Sequence, residues 1–328
     1  MSHVLLASLL IIGLFVSAVA GPRVLRAAAP LLMRAPRLGA GLLASGVAAW
    51  VLALLAVGPV LAWVFSGPAV LPSGAAQVCQ QCLAAANPFG GRTFHTGVPV
   101  VLLLVVPLAL GALFLAAFAR QLRRRHRAML RSARRFRAGA QQRQVAGYDV
   151  LLVADRHPFA LSLPRRHGGI VVSTGAVDLL GAEELRAVLA HEQAHIRQQH
   201  HLIASVVDAL TTRLRWVPLL GAAANALGHY LEIAADEYAR REVGTPALAS
   251  ALLVLGEAGL AEDEDVTRDA QGVLHALGPD RVRHLVQPVR GSAGAFATVA
   301  GVGSLLAMTV LAGTVHVPYM LVVLGGCV

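Results

Sequence analysis

The chain has 328 residues, is 56% hydrophobic and only 14% charged, and carries a net charge of +10. That balance excludes an ordinary soluble globular domain and points to several membrane spans. All 18 acids lie between Asp149 and Asp280, so an acid-free apolar part precedes a mixed soluble part and an acid-free tail follows it.

In chain order, Val4 to Ala20 is apolar and just long enough to cross a bilayer. Ala18-Val19-Ala20 is similar to a signal-peptidase site, so a cleaved signal peptide is the alternative. No Arg precedes the run and Arg23, Arg26, Arg34 and Arg37 follow it, which predicts a retained span with its N-terminus outside. Leu38 to Ser66, with Trp50 and Trp63, is a second span. Gly67 to Thr96 reads as a Pro/Gly-rich outside loop. Its Cys79 and Cys82 predict a disulfide in an oxidising compartment, since a zinc there would need two more ligands and the loop offers only His95.

Val98 to Ala119 is a third span, followed by ten Arg from Arg120 to Arg143. Such a run can signal nucleic-acid binding. Directly after a span it reads instead as a cytoplasmic anchor on anionic lipid, at about 1 kcal/mol per Arg, and no direct nucleic-acid binding is expected. Tyr148 to Asp155, Pro158 to Leu163 and Gly169 to Ser173 predict short strands, with a turn at Thr174-Gly175.

Glu183 to Gln199 predicts one helix, with acids in its first turn and Leu185, Val188, Leu189 and Ile196 at helical spacing. Inside it lies His191-Glu192-Gln193-Ala194-His195, the pattern H-E-x-x-H. Positions four apart stand one above the other, so the two imidazoles can face one metal while Glu192 borders the same cleft. Zn²⁺ on two His and a carboxylate lowers the pKa of its water to about 7, and the free Glu can take the proton. The pattern alone also fits an amphipathic helix with surface histidines.

Two residues compete as third ligand. His201 has the offset of the pattern H-E-x-x-H-x-x-G-x-x-H, but position 198 is Gln, a good helix former. The helix is therefore expected to continue, leaving His200 and His201 as a polar helix end. The other candidate is Glu232 on a second helix, with Asp236 one turn on and able to accept the second N–H of a ligand imidazole. Further on, Trp216 to Gly228 is too short to span and predicts a core or membrane-resting helix, and Thr245-Pro246 opens another. Glu262-Asp263-Glu264-Asp265 reads as a solvated loop. Ala293 to Val315 is a fourth span, entered from Arg281, Arg283 and Arg290 and followed by the tail from His316.

His191-Glu192-x-x-His195 followed by Glu232-x-x-x-Asp236, with Ile170 to Gly175 upstream, resembles the membrane gluzincins. Two branches fit: the BlaR/MecR-type receptor peptidases (family M56) and the HtpX-type and CAAX-prenyl-protease peptidases (family M48). Three spans before the catalytic domain and one after it are similar to the BlaR/MecR plan without its penicillin-binding sensor domain. The resemblance implies a zinc endopeptidase in which His191, His195 and Glu232 hold Zn²⁺, Glu192 is general base, and Asp236 backs a ligand. It also implies a peptide or protein substrate paired along the Ile170 to Ser173 strand, as at an open sheet edge. A cytoplasmic winged-helix repressor is the substrate that layout favours, with cleavage serving signal transduction. HtpX-like quality control of membrane proteins is the alternative, and a non-catalytic zinc-containing membrane receptor or scaffold a third.

The expected architecture is a mainly α, multi-pass cell-membrane protein with about four transmembrane helices and a cytoplasmic gluzincin-like α+β domain, both termini outside. Its parts are a three-span region 1–119, a basic linker 120–147, a peptidase domain 148–290, and a last span with its tail, 291–328. Polar candidates for oxyanion stabilisation are His229, Arg240 and Arg241.

Overall fold

The structure, a computed structural model, describes residues 3–68, 70, 72–89, 93–260 and 294–325. The acidic run from Glu262 to Asp265 and the arginines Arg281, Arg283 and Arg290 lie outside them. Among the described residues, four helices are long and apolar enough to cross a membrane: α1 (His3–Leu32), α2 (Pro36–Val64), α4 (Val100–Gly139) and α10 (Ala295–Gly325). A short helix α3 (Ser73–Ala86) and a two-residue parallel pair, β1 (Phe65–Ser66) with β2 (Phe94–His95), fill the connection between α2 and α4.

The spans are not equivalent. The apolar core joins α1, α2 and α10, with Leu6, Leu10, Ala53, Ala56, Val60 and Trp63 nearly inaccessible. Trp63 stacks on Tyr319, whose hydroxyl donates to the Pro59 carbonyl at 2.9 Å. By contrast α4 leans on α2 along one line and leaves Leu108 and Leu113 exposed, as lipid-facing residues should be. At that contact a Cβ on Gly58 would lie 2.0 Å from Pro107 Cγ, so only glycine admits the approach.

The basic segment expected as a linker is mostly the second half of α4. At 40 residues α4 is about 60 Å long, twice the hydrocarbon thickness, so it carries its arginines beyond the apolar layer as one continuous rod. The segment then continues as β3 (Ala140–Val145), paired antiparallel with β4 (Tyr148–Val153) through the positive-φ turn Ala146-Gly147. The sheet runs β3-β4-β6-β5, with β5 (Ala160–Ser162) and β6 (Ile170–Ser173).

Two expectations change here. The strand Ile170–Ser173 is central and buried, parallel to β4 and antiparallel to β5, so it offers no open edge; the outer strand on that side is β5. Thr174-Gly175 is no turn but the start of helix α5 (Thr174–Leu179), capped by the Ser173 hydroxyl, which accepts from the Ala176 N–H at 3.1 Å.

Helices α6 (Ala182–Arg197), α7 (His200–Thr211), α8 (Pro218–Val243) and α9 (Thr245–Leu260) complete the fold. At the start of α6, Glu184 accepts from the Gly181 N–H at 2.9 Å and from the Ser250 hydroxyl, which ties α6 to α9. Ala187 and Ala190 meet Ala239 of α8, small residues that bring the two helices close. α8 has a double allegiance: Leu220, Ala223, Leu227 and Tyr230 enter the membrane-bundle core, and the next turns face α6.

The predicted Cys79–Cys82 bridge is not formed, because Cys79 is a free thiol while Cys82 is disulfide-bonded. Both lie within α3, whose backbone fixes their Cβ directions, and a bridge requires a specific geometry.

Candidate metal centre

Consecutive turns of α6 place His191 and His195 on the face turned toward α8, and α8 answers with Glu232. The Nε2 atoms of the two imidazoles are 3.1 Å apart. Glu232 Oε2 lies 3.4 Å from His191 Nε2, and its Oε1 lies 3.6 Å from His195 Nε2. Zinc bound tetrahedrally at 2.0–2.1 Å holds its ligand atoms about 3.3 Å apart, so these spacings fit a zinc coordination shell. Among the described residues, this is the group of side chains that can hold a metal ion.

The electrostatics agree. Burial works to lower the His191 pKa, but hydrogen bonds and charge from Asp236 and Glu232 outweigh it and raise the imidazole to about 10. Two carboxylates buried around one imidazole make a site that demands positive charge, which a divalent cation meets better than a proton. Glu192, on the same helix and 4% exposed, is held dry beside the group.

Each imidazole has a partner on its far side. His191 Nδ1 lies 3.0 Å from Asp236 Oδ1, the arrangement the sequence suggested. The partner of His195 was not anticipated: His200 Nδ1 lies 2.9 Å from His195 Nδ1. The expected continuous helix in fact ends at Arg197, and Gln199 adopts φ 54° before α7 begins. That break turns His200 inward, 4% exposed, where burial lowers its pKa to about 4 and keeps it neutral. His201 Nε2 sits 3.1 Å from the Ser162 hydroxyl on β5, its ring 6.3 Å from that of His195. It therefore borders the site without joining the ligand group. The break is invisible in sequence because Gln is a good helix former and only the tertiary contacts of His200 reward the left-handed backbone. Arg240 and Arg241 both pair with Glu237 at 2.8 Å and are exposed, and His229 is exposed as well, whereas His201 stands beside the candidate ligand His195.

Residues 119–254 match the sequence profile of Peptidase family M48. These residues contain the whole site. The match supports a relationship to the M48 metallopeptidases. Two curated relatives point the same way. A Protease HtpX homolog of Thermodesulfovibrio yellowstonii is 29% identical over 91 residues, 27% of this chain and 32% of the relative. Another Protease HtpX homolog, from Caldanaerobacter subterraneus subsp. tengcongensis, is 41% identical over 49 residues, 15% of this chain and 16% of the relative. The aligned part thus spans less than a third of either relative's length. No solved structure matches. The M48 relationship has this support, whereas neither relative is of the M56, BlaR/MecR type.

Proposed function

We propose that the protein is an integral-membrane zinc endopeptidase that cuts protein substrates at the membrane surface. His191, His195 and Glu232 would hold Zn²⁺, Glu192 would act as general base and then general acid, and Asp236 would fix the tautomer and orientation of His191. The observation that carries this reading is the buried His191–His195–Glu232 group, whose spacings fit tetrahedral zinc, with Glu192 beside it.

A bound zinc supplies Lewis acidity that polarises the scissile carbonyl and lowers the pKa of water. The protein supplies the rest. Glu192 removes a proton from the attacking water and delivers it to the departing amine, so its buried position limits exchange with bulk solvent. The outer edge of β5 is where an extended peptide can add as a further strand, in place of the central β6. Ser162 and His201 stand at that strand, and His201 is the side chain best placed to steady charge developing on the cut carbonyl.

The catalytic domain would be cytoplasmic and both termini outside, because Arg23, Arg26, Arg34 and Arg37 cluster around the corner between α1 and α2 and further arginines line the second half of α4. Both relatives carry the name Protease HtpX homolog, which supports an HtpX-like role for this chain, with membrane proteins as the substrates that role would take. Cleavage of a winged-helix repressor rests on the three-then-one order of the four apolar helices. The test is the Glu192→Gln variant of the full chain. It should keep its zinc and lose about 10²-fold or more in turnover, and cells carrying it should lack specific new N-termini found with the wild type. Many missing fragments from membrane proteins support the HtpX-like role, and one or two cytoplasmic regulators support signalling. Turnover equal to wild type would sink the assignment of Glu192.

A further inference from the structure

We propose that the corner between the first two membrane helices is a positioning element of the metal centre, acting from Arg37 through Gln198 and His200 on the imidazole of His195. The inference rests on the proposed metal reading of the site.

Hydrogen bonds run in one direction from Arg37 to His195. Arg37 Nε lies 2.9 Å from Gln198 Oε1. A guanidinium can only donate, so the atom it meets must be the amide oxygen. The same oxygen lies 3.2 Å from His200 Nε2, which must therefore be the protonated nitrogen of that ring. His200 Nδ1 is then an acceptor, and it lies 2.9 Å from His195 Nδ1. His195 must carry its proton on Nδ1, and its Nε2 keeps the lone pair turned toward His191 and Glu232. Each donor meets an acceptor in this order. The reverse order is impossible because Arg37 has no acceptor. An arginine at the start of α2 thus sets the tautomer in which a metal ligand is competent.

The corner also touches the other ligand-bearing helix. The Gln198 amide donates to the Ala234 carbonyl at 3.5 Å, between Glu232 and Asp236 on α8. Two residues after Arg37, a Cβ on Gly39 would lie 3.0 Å from the ring of Tyr230, so α2 abuts α8 just before Glu232. Arg37 itself is exposed, and an exposed polar contact adds little to global stability. Its effect is therefore expected at His195 and not in the fold.

The experiment uses the full chain in detergent. Zinc affinity is measured by competition with a chelator, the visible spectrum of the cobalt-substituted protein reports ligand geometry, and thermal unfolding of the metal-free protein reports packing. His200→Ala should weaken zinc binding by about 10- to 100-fold, and Arg37→Ala by roughly threefold to tenfold, with an altered cobalt spectrum. His200→Asn, which retains an acceptor for His195, and Arg37→Lys, which retains a donor for Gln198, should recover most of the loss. Arg23→Ala, exposed elsewhere on α1, should behave as wild type. Wild-type zinc affinity in both alanine variants would overturn the proposal. So would lysine and asparagine variants as impaired as the alanines, or a loss of metal that merely tracks a lower melting temperature. A wild-type protein that binds no zinc would instead remove the metal reading on which the inference rests.

Discussion

Among the described residues, His191, Glu192, His195, His200, Glu232 and Asp236 supply six of ten buried polar or charged side chains, all at one site. The membrane bundle a short way along α8 is built almost wholly from Leu, Val, Ala, Trp and Tyr. Helix α8 serves both regions, with Leu227 in one and Glu232 in the other. The difference shows two kinds of specificity on one helix. In the bundle a residue is chosen by shape, and any well-fitting apolar side chain is tolerated. At the site it is chosen by valence and charge, and an isosteric change can abolish function.

The sharpest way to expose that contrast is to remove a ligand. Glu232→Ala should lose most bound zinc while leaving the bundle intact, as measured by metal content and by helical circular dichroism. Full occupancy in that variant would return His201 as a ligand candidate, although its ring now lies beside Ser162.

A second effect comes from protons. His191 is held up to about 10 in the metal-free protein, so zinc must displace a proton to bind. Affinity should rise about tenfold per pH unit across the range from 6.5 toward 10 and level off above it. The metal-free domain should show the opposite trend. The stabilisation from the raised imidazole is complete below its ordinary 6.5 and disappears as pH rises through about 10. A zinc affinity independent of pH between 6.5 and 9 would break the electrostatic account.

The smallest effects belong to the bundle. Leu10→Ala, at a position 1% exposed, should cost about 2–5 kcal/mol, whereas Leu108→Ala, 68% exposed on α4, should change stability by no more than about 0.5 kcal/mol. Unfolding in mixed micelles would measure both. Equal losses would show that the outer face of α4 around Leu108 is covered by a packing partner.

Much of this was legible in the sequence, for identifiable reasons. The four apolar stretches and the pairing of His191 with His195 are local patterns, fixed by helix pitch. Glu232 and Asp236 were legible because acids one turn apart on an alanine-rich helix suit a closely packed partner. The central place of β6 was not, since strand order is a long-range property that Ile170-Val171-Val172 does not encode. β3 was missed because Gln141, Gln142, Arg143 and Gln144 are exposed and show no alternation. His200 was missed because its role depends on a backbone break at Gln199 that nothing local demands.

The outer strand β5 has only three residues, Ala160–Ser162. A guest chain aligned on it can be read over about three positions, since main-chain pairing gives affinity and alternate side-chain pockets give selectivity. If β5 is the strand a substrate pairs with, so short a ruler would distinguish few proteins by their sequence. Discrimination would then fall to geography: a peptidase fastened to the bilayer would meet only chains that reach its surface in extended form, and where a protein stands would decide its fate more than what it spells.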